Sequence, residues 1–404
     1  MALCAQSMVS DEQRETINSI LTLLTQKISM HIQSNQEYGL LGGVAGQLLF
    51  LYKMHQYQPD AVNEDLFGQQ FELLQDNMAG SQFGLASGLA GQAWLIELLN
   101  QAEHEGYDAT LLNDIDELLL RVMSVEYWEG EIEAINGLAG YAPYIIRRAK
   151  TTNQDLLFER LVTYYEQLHT AFPDGTLSWS QPSYSAFRFE GSDRTQPEFN
   201  LGLAHGVPGI IAALLPALQS STLHARARAL LEGACDWLVA ERNPEHRAEC
   251  AYGCATGSHR SRLGWCYGDL TIALTLARAG IALDRPNYVD HAREVALMAA
   301  TRNAQSASIE DAGLCHGIFG LVTIFQLLNR IVPHPEFSKA HHYWLEYGLA
   351  KYAELGEQAF YTYQGIPPSY EEEFGFLMGY AGVGLALLSV LNEDLDWTES
   401  LLMA

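Results

Sequence analysis

A Gly-x-x-Gly element opens a long apolar run at Gly43, Gly88, Gly137, Gly206, Gly317 and Gly379, and a seventh run opens at Gly268, where Thr271 takes the second glycine's place. Self-similarity at intervals of tens of residues marks a chain built from repeated supersecondary units. The first glycines lie 45, 49, 69, 62, 49 and 62 residues apart, room in each unit for two helices and their loops. The runs that follow, such as GIIAALLPAL from Gly209 and TIALTLARAG from Thr271, are too long for ordinary strands and apolar on most faces, as buried helices are. The segments between them are amphipathic: Leu111, Ile115, Leu118, Leu119 and Val122 share a helix face, as do Leu157, Leu161, Tyr164, Tyr165 and Leu168. Seven such segments, near 11-30, 62-76, 108-123, 154-170, 223-241, 287-302 and 337-355, each precede one apolar run. The pattern predicts an all-α fold, an (α/α)7 toroid of seven inner and seven outer helices, with 1-404 forming one domain that carries a small insertion at 171-199. Glycine at every inner start follows from helix ends crowded around one axis. The partial positive charge of those ends favours anions, thiolates included, at the rim of a central cavity.

With 404 residues, 48% of them hydrophobic, the chain can bury a large core, which excludes global disorder. Asp and Glu number 49 against 23 Lys and Arg, a net charge of -26. That balance disfavours nucleic acid and anionic lipid and steers a basic peptide inward. The start, MALCAQSMVSDEQRE, has no signal-peptide pattern and no apolar run reaches the roughly 18 residues of a membrane span, so a cytoplasmic protein is expected. Six cysteines are too few for a disulfide scaffold of this size and read as buried thiols, ligands or nucleophiles.

Chemistry gathers just before the repeat glycines. Cys266 stands in GWCYGD, and Cys315 with His316 in LCHG. Two thiols and one imidazole suit Zn²⁺, and three protein ligands leave a fourth position for water or substrate. The 49 residues between the cysteines fit no zinc finger but equal one repeat, which brings neighbouring helix tops together. A buried cysteine alone is more often a small hydrophobe; the shared register favours metal binding. Cys4, Cys235, Cys250 and Cys254 lack that register; Cys235 reads as core, and Cys250 with Cys254 as a weaker second pair. His205, in GLAHGVPG, holds the same register, open as an acid or base, a fourth ligand or a core histidine. Arg262, four residues before Cys266, could stabilise an oxyanion or simply be solvated.

Together, seven glycine-opened inner helices, GLAHG, the Arg-x-x-Trp-Cys-Tyr-Gly element at 262-268 and Cys-His-Gly at 315-317 resemble the LanC-type lanthionine synthetases over nearly the whole chain. The resemblance implies Cys266, Cys315 and His316 as zinc ligands, His205 as the catalytic histidine and Arg262 as the arginine near the metal. It implies addition of cysteine thiols of a dehydrated precursor peptide to dehydroalanine or dehydrobutyrine, giving lanthionine or methyllanthionine, without redox cofactor or nucleotide. A dehydratase and an exporter are the implied partners. The family commonly has aspartate four residues before the third repeat's glycine; here that place is Glu133, which could orient His205 or be a solvated residue at a helix start. Two aromatic segments, 171-199 and 356-375, are candidates for holding a peptide or are plain loops. Two other readings are a glycoside hydrolase or lyase using Glu129, Glu131 and Glu133, which leaves the registered Cys, Cys and His unexplained, and a LanC-like zinc protein that binds glutathione or peptide thiols without cyclising.

Overall fold

The computed structural model describes residues 9–78, 82–103, 106–148, 150–189, 193–244, 250–365 and 367–404; Cys4 lies outside them. The expected double ring is present. Outer helices span Asp11–His31, Glu64–Asp76, Asn113–Val122, Thr152–Leu168, His224–Ala240, Pro286–Ala300 and Pro335–Leu355. Inner helices span Val44–Tyr57, Leu89–Ala102, Ala142–Arg147, Val207–Leu214, Asp269–Ala282, Ile318–Ile331 and Tyr380–Asn392. The third of these enters through a 3-10 turn, Leu138–Tyr141, because Pro143 follows so soon. Each inner helix packs on the next, and the seventh packs on the first, so the ring closes.

Burial follows composition. The first inner helix is buried without a break from Val44 to Leu51, whereas the first outer helix buries one stripe, Ile17, Ile20, Leu21, Leu24 and Ile28. Ser10 and Gln13 start that outer helix as a reciprocal capping box. The seven registered glycines are the N-caps of the seven inner units. Gly268 alone of them sits at positive φ, +108°, a conformation that side chains resist.

The loops before these caps are stitched to one another. Leu41 N–H donates to Ala86 O, Ala86 to Ile135, Ala134 to Ala204, Ala204 to Cys266, Cys266 to Cys315, Cys315 to Leu377, and Leu377 back to Leu41, at 2.8–3.4 Å. In six repeats the residue that both donates and accepts stands two before the cap glycine, and both registered cysteines occupy that place; in the third repeat Ile135 accepts there and Ala134, one residue earlier, donates. The second glycine of a repeat makes room for the preceding one: a Cβ on Gly91 would lie 2.7 Å from Leu40 Cβ. Leu40, Leu85, Leu203, Trp265, Leu314 and Phe376 are buried, and the C-terminal turn Asp396–Leu401 docks beneath them, Trp397 against Phe376 and Leu401 O against Trp265 Nε1.

Two small antiparallel hairpins decorate the rings, Thr170–Ala171 with Leu177–Ser178 and Thr362–Tyr363 with Tyr370–Glu371. No described helix is long and apolar enough to cross a membrane.

Candidate metal centre and its rim

Repeats three to six bring every expected site residue to one arc. The ligand atoms of Cys266, Cys315 and His316 lie within 4.8 Å of one another, the one group of three metal-binding side chains among the described residues. Both thiols are buried. Cys266 is held well below the ordinary thiol range, first by a hydrogen bond from Cys315, then by His316 and the positive charge of Arg262. Cys315, the donor to that thiolate and buried, is pushed up. A pair sharing one proton around a negative sulfur fits a divalent soft cation. Asp311, buried, faces His316 Nε2 at 3.8 Å and is itself fixed by Gly313 N–H at 3.1 Å and Tyr363 N–H at 3.2 Å.

The second group is His205 with Glu133. His205 Nδ1 lies 3.0 Å from Glu133 Oε2. The carboxylate is fully buried and accepts Ile135 N–H at 2.8 Å and Asn136 N–H at 2.7 Å. Glu133 is therefore no solvated helix-start residue. Its place in the architecture explains the contact: the residue four before each cap glycine meets the residue one before the next repeat's cap. Six repeats put glycine there, namely Gly39, Gly84, Gly202, Gly264, Gly313 and Gly375. A Cβ on Gly264, for example, would lie 3.0 Å from His316 Cα. Only the third repeat carries a side chain at that place, and the residue it meets is His205. The break in the glycine pattern is itself a sequence signal for Glu133 that needs no family comparison.

Sequence reading missed the aromatic surround of His205. Phe187, from the 171–199 segment, stacks on its ring with centroids 4.2 Å apart and planes at 15°. Tyr267 stands 6.1 Å away, its hydroxyl held by Asn200 Nδ2 at 3.0 Å. Gln181 Nε2 donates to His205 O, and Arg188, buried, ties the segment together through the carbonyls of Gln181, Asp193 and Gln196. So the described residues of 171–199 form a strap on the rim. From the described residues of 356–375, Tyr363 N–H donates to Asp311. Cys250 and Cys254 point their thiols at the carbonyls of His259 and Arg260 and belong to no group of three among the described residues; Cys235 is core. Arg262 is exposed, with its charge acting on both thiols of the cluster.

A family model described as lanthionine synthetase C-like protein matches residues 10–402. Nisin biosynthesis protein NisC of Lactococcus lactis subsp. lactis is 29% identical over 145 residues, 35% of this chain and 31% of that protein, so the alignment spans under a third of this relative's length. Among solved structures, nisin cyclase superposes with a TM-score of 0.75 at 20% identity, covering 98% of each chain, a likeness of fold. A glycosyl hydrolase of family 88 from Bacteroides vulgatus reaches a TM-score of 0.43 at 13% identity, over 94% of this chain and 98% of that one.

Proposed function

The chain belongs to the lanthionine synthetase C-like family, and on that premise we propose that it is a zinc-dependent cyclase. It adds cysteine thiols of a dehydrated precursor peptide to dehydroalanine or dehydrobutyrine and so closes lanthionine or methyllanthionine rings. The observation that carries this reading is the juxtaposition on one arc of the rim of a Cys–Cys–His cluster and a carboxylate-held histidine. Zinc held by Cys266, Cys315 and His316 would keep a substrate thiol deprotonated at neutral pH.

The chain's own residues do the rest. Asp311, buried and 3.8 Å from His316 Nε2, would help orient the imidazole toward the metal. When the substrate sulfur bonds to the β-carbon, the C=C pair moves to the α-carbon and carbonyl oxygen, and the Arg262 guanidinium, whose charge acts on both cluster thiols, would meet that oxyanion. His205 supplies the proton that the α-carbon then takes; Glu133 holds Nδ1, so Nε2 is the atom that exchanges it, and Phe187 holds the ring plane. The proton lost by the thiol balances the one gained at carbon. We further propose that residues 1–404 act as one domain with 171–199 inserted, working in the cytoplasm with a dehydratase that supplies the unsaturated residues and an exporter that removes the product.

The test is His205→Ala. Dehydrated peptide is incubated with wild type, variant and no enzyme, and free thiols are alkylated at intervals and counted by mass. The variant keeps zinc and peptide affinity and loses about 10²- to 10⁴-fold in cyclisation rate. Cyclisation at the wild-type rate with zinc intact would refute the role; zinc loss would make His205 a metal residue.

A further inference from the structure

Next to Asp311 the rim opens into a cavity of about 330 Å³ between the last outer helix and the second hairpin. The hairpin is pinned there by Thr362 Oγ1 on Met378 O at 2.9 Å and by Tyr363 N–H on Asp311 at 3.2 Å. Its other strand pairs Tyr370 with Tyr363, ring centroids 5.5 Å apart, and sets the Tyr370 ring on the cavity wall, where it stays exposed. Tyr347 and Tyr361 bring two more rings, and Ile309, Leu355 and Ala359 add aliphatic surface.

The charged side chains of the lining, Glu310, Asp311 and Lys351, differ in what they already hold. Lys351 Nζ stands 3.8 Å from Glu354 Oε2 and 6.0 Å from the centre of the Tyr347 ring. Asp311 accepts Gly313 N–H and Tyr363 N–H and faces His316. Glu310 is exposed and has no hydrogen bond or ion pair among the described residues. Its charge acts on the Tyr370 phenol, which is pushed up by burial first and by Glu310 second, so ring and carboxylate share one wall. Asp311 belongs both to the cavity and to the surround of the metal centre. An extended chain advances roughly 3.3 Å per residue, so a peptide whose thiol reaches Cys266 and Cys315 passes the cavity within a few residues.

We infer that this cavity is a subsite for a basic side chain, lysine or arginine, carried a few residues from the reacting cysteine of a peptide. Complementarity sets the occupant. The wall offers an unmatched carboxylate, tyrosine faces that attract a cation, and aliphatic surface that the stem of Lys or Arg covers while its charged head stays wet. The net charge of -26 draws a basic peptide in, and Glu310 then fixes where its cation rests. The inference rests on the proposal that a peptide thiol reaches the cluster. It gives the enzyme a preference among cysteines: one with a basic neighbour at the matching spacing is engaged before others.

The experiment reads binding, not turnover, on the zinc-loaded full chain. Short peptides with one central cysteine, no dehydrated residue, an uncharged dye at the N-terminus and an amide at the C-terminus are titrated by anisotropy. A lysine is placed at each position in turn on either side of the cysteine, and each peptide is matched by one with norleucine there, which keeps the stem and drops the charge. In at least one register the lysine peptide binds about three- to tenfold more tightly, the range of one exposed ion pair with one cation–π contact, and the preference shrinks as salt rises. Glu310→Lys abolishes the preference. Glu15→Lys, the same charge change at an exposed position of the first outer helix, leaves it in place. Equal binding of lysine and norleucine peptides in every register, no binding at all, a preference that survives Glu310→Lys, or one lost equally in Glu15→Lys would overturn the subsite. A preference that holds while no dehydrated peptide is ever cyclised would leave the subsite standing and remove the proposed cyclase activity instead; cyclisation without any preference would remove the subsite alone.

Discussion

Replacing Glu133 by Gln keeps the shape of the buried side chain and removes its charge, so it isolates what the carboxylate does for His205. Oε2 serves both Ile135 N–H and His205 Nδ1, and Oε1 serves Asn136 N–H. The amide has one oxygen. The better of its two orientations keeps that oxygen on Ile135 and His205 and turns its NH₂ toward Asn136 N–H, where donor faces donor. One backbone hydrogen bond is lost, and the bond to His205 falls from charge-assisted to neutral, a difference of about 1–2 kcal/mol. Since the imidazole must pass through its charged form when it exchanges a proton, that difference appears in kcat as a loss of roughly 5- to 30-fold. Zinc content should not change, because neither Glu133 nor His205 is a ligand in this account. The assay is timed thiol alkylation of a dehydrated peptide at saturating concentration, with metal analysis of the same preparation. An unchanged kcat, or a loss that tracks lost zinc, would refute the reasoning.

Two further substitutions separate architecture from chemistry. Phe187→Ala removes the ring stacked on His205 and should lower kcat by about three- to tenfold, the worth of one aromatic pair, with zinc retained; an unchanged kcat would show that the strap does not hold the histidine. Gly264→Ala drives a Cβ to 2.8 Å from Cys315 O and 3.0 Å from His316 Cα, which forces the ligand loop to shift and costs about 1–3 kcal/mol; denaturant unfolding and zinc affinity should both weaken, and wild-type values of both would contradict the rim packing described above.

The ring was legible because its signals are local. Each inner helix is announced by its own cap glycine and an apolar run, and each outer helix by one stripe such as Ile17, Leu21, Leu24 and Ile28. The metal cluster was legible because register turns 49 residues of sequence into adjacency. What stayed hidden is contact between repeats and with irregular chain. The meeting of Glu133 with His205 depends on a neighbour-to-neighbour rule that only the folded rim displays, although the single gap in the glycines from Gly39 to Gly375 marks it in hindsight. Phe187 lies in a segment without period, positioned by Arg188 and backbone carbonyls, so no spacing could place its ring on His205. Asp311 was missed for the same reason, since its value lies in facing His316 across a tight loop.

Zinc titrated into chelator-stripped protein, with ring closure of a dehydrated peptide followed at each addition, tests the central claim most directly. Cyclisation should rise with zinc and saturate at about one equivalent per chain, the count set by one three-ligand site, and Cys315→Ala should show neither tight zinc binding nor a rate above the uncatalysed background. Stripped protein that closes rings as fast as the zinc-loaded form, or a Cys315→Ala variant that retains stoichiometric zinc, would contradict it.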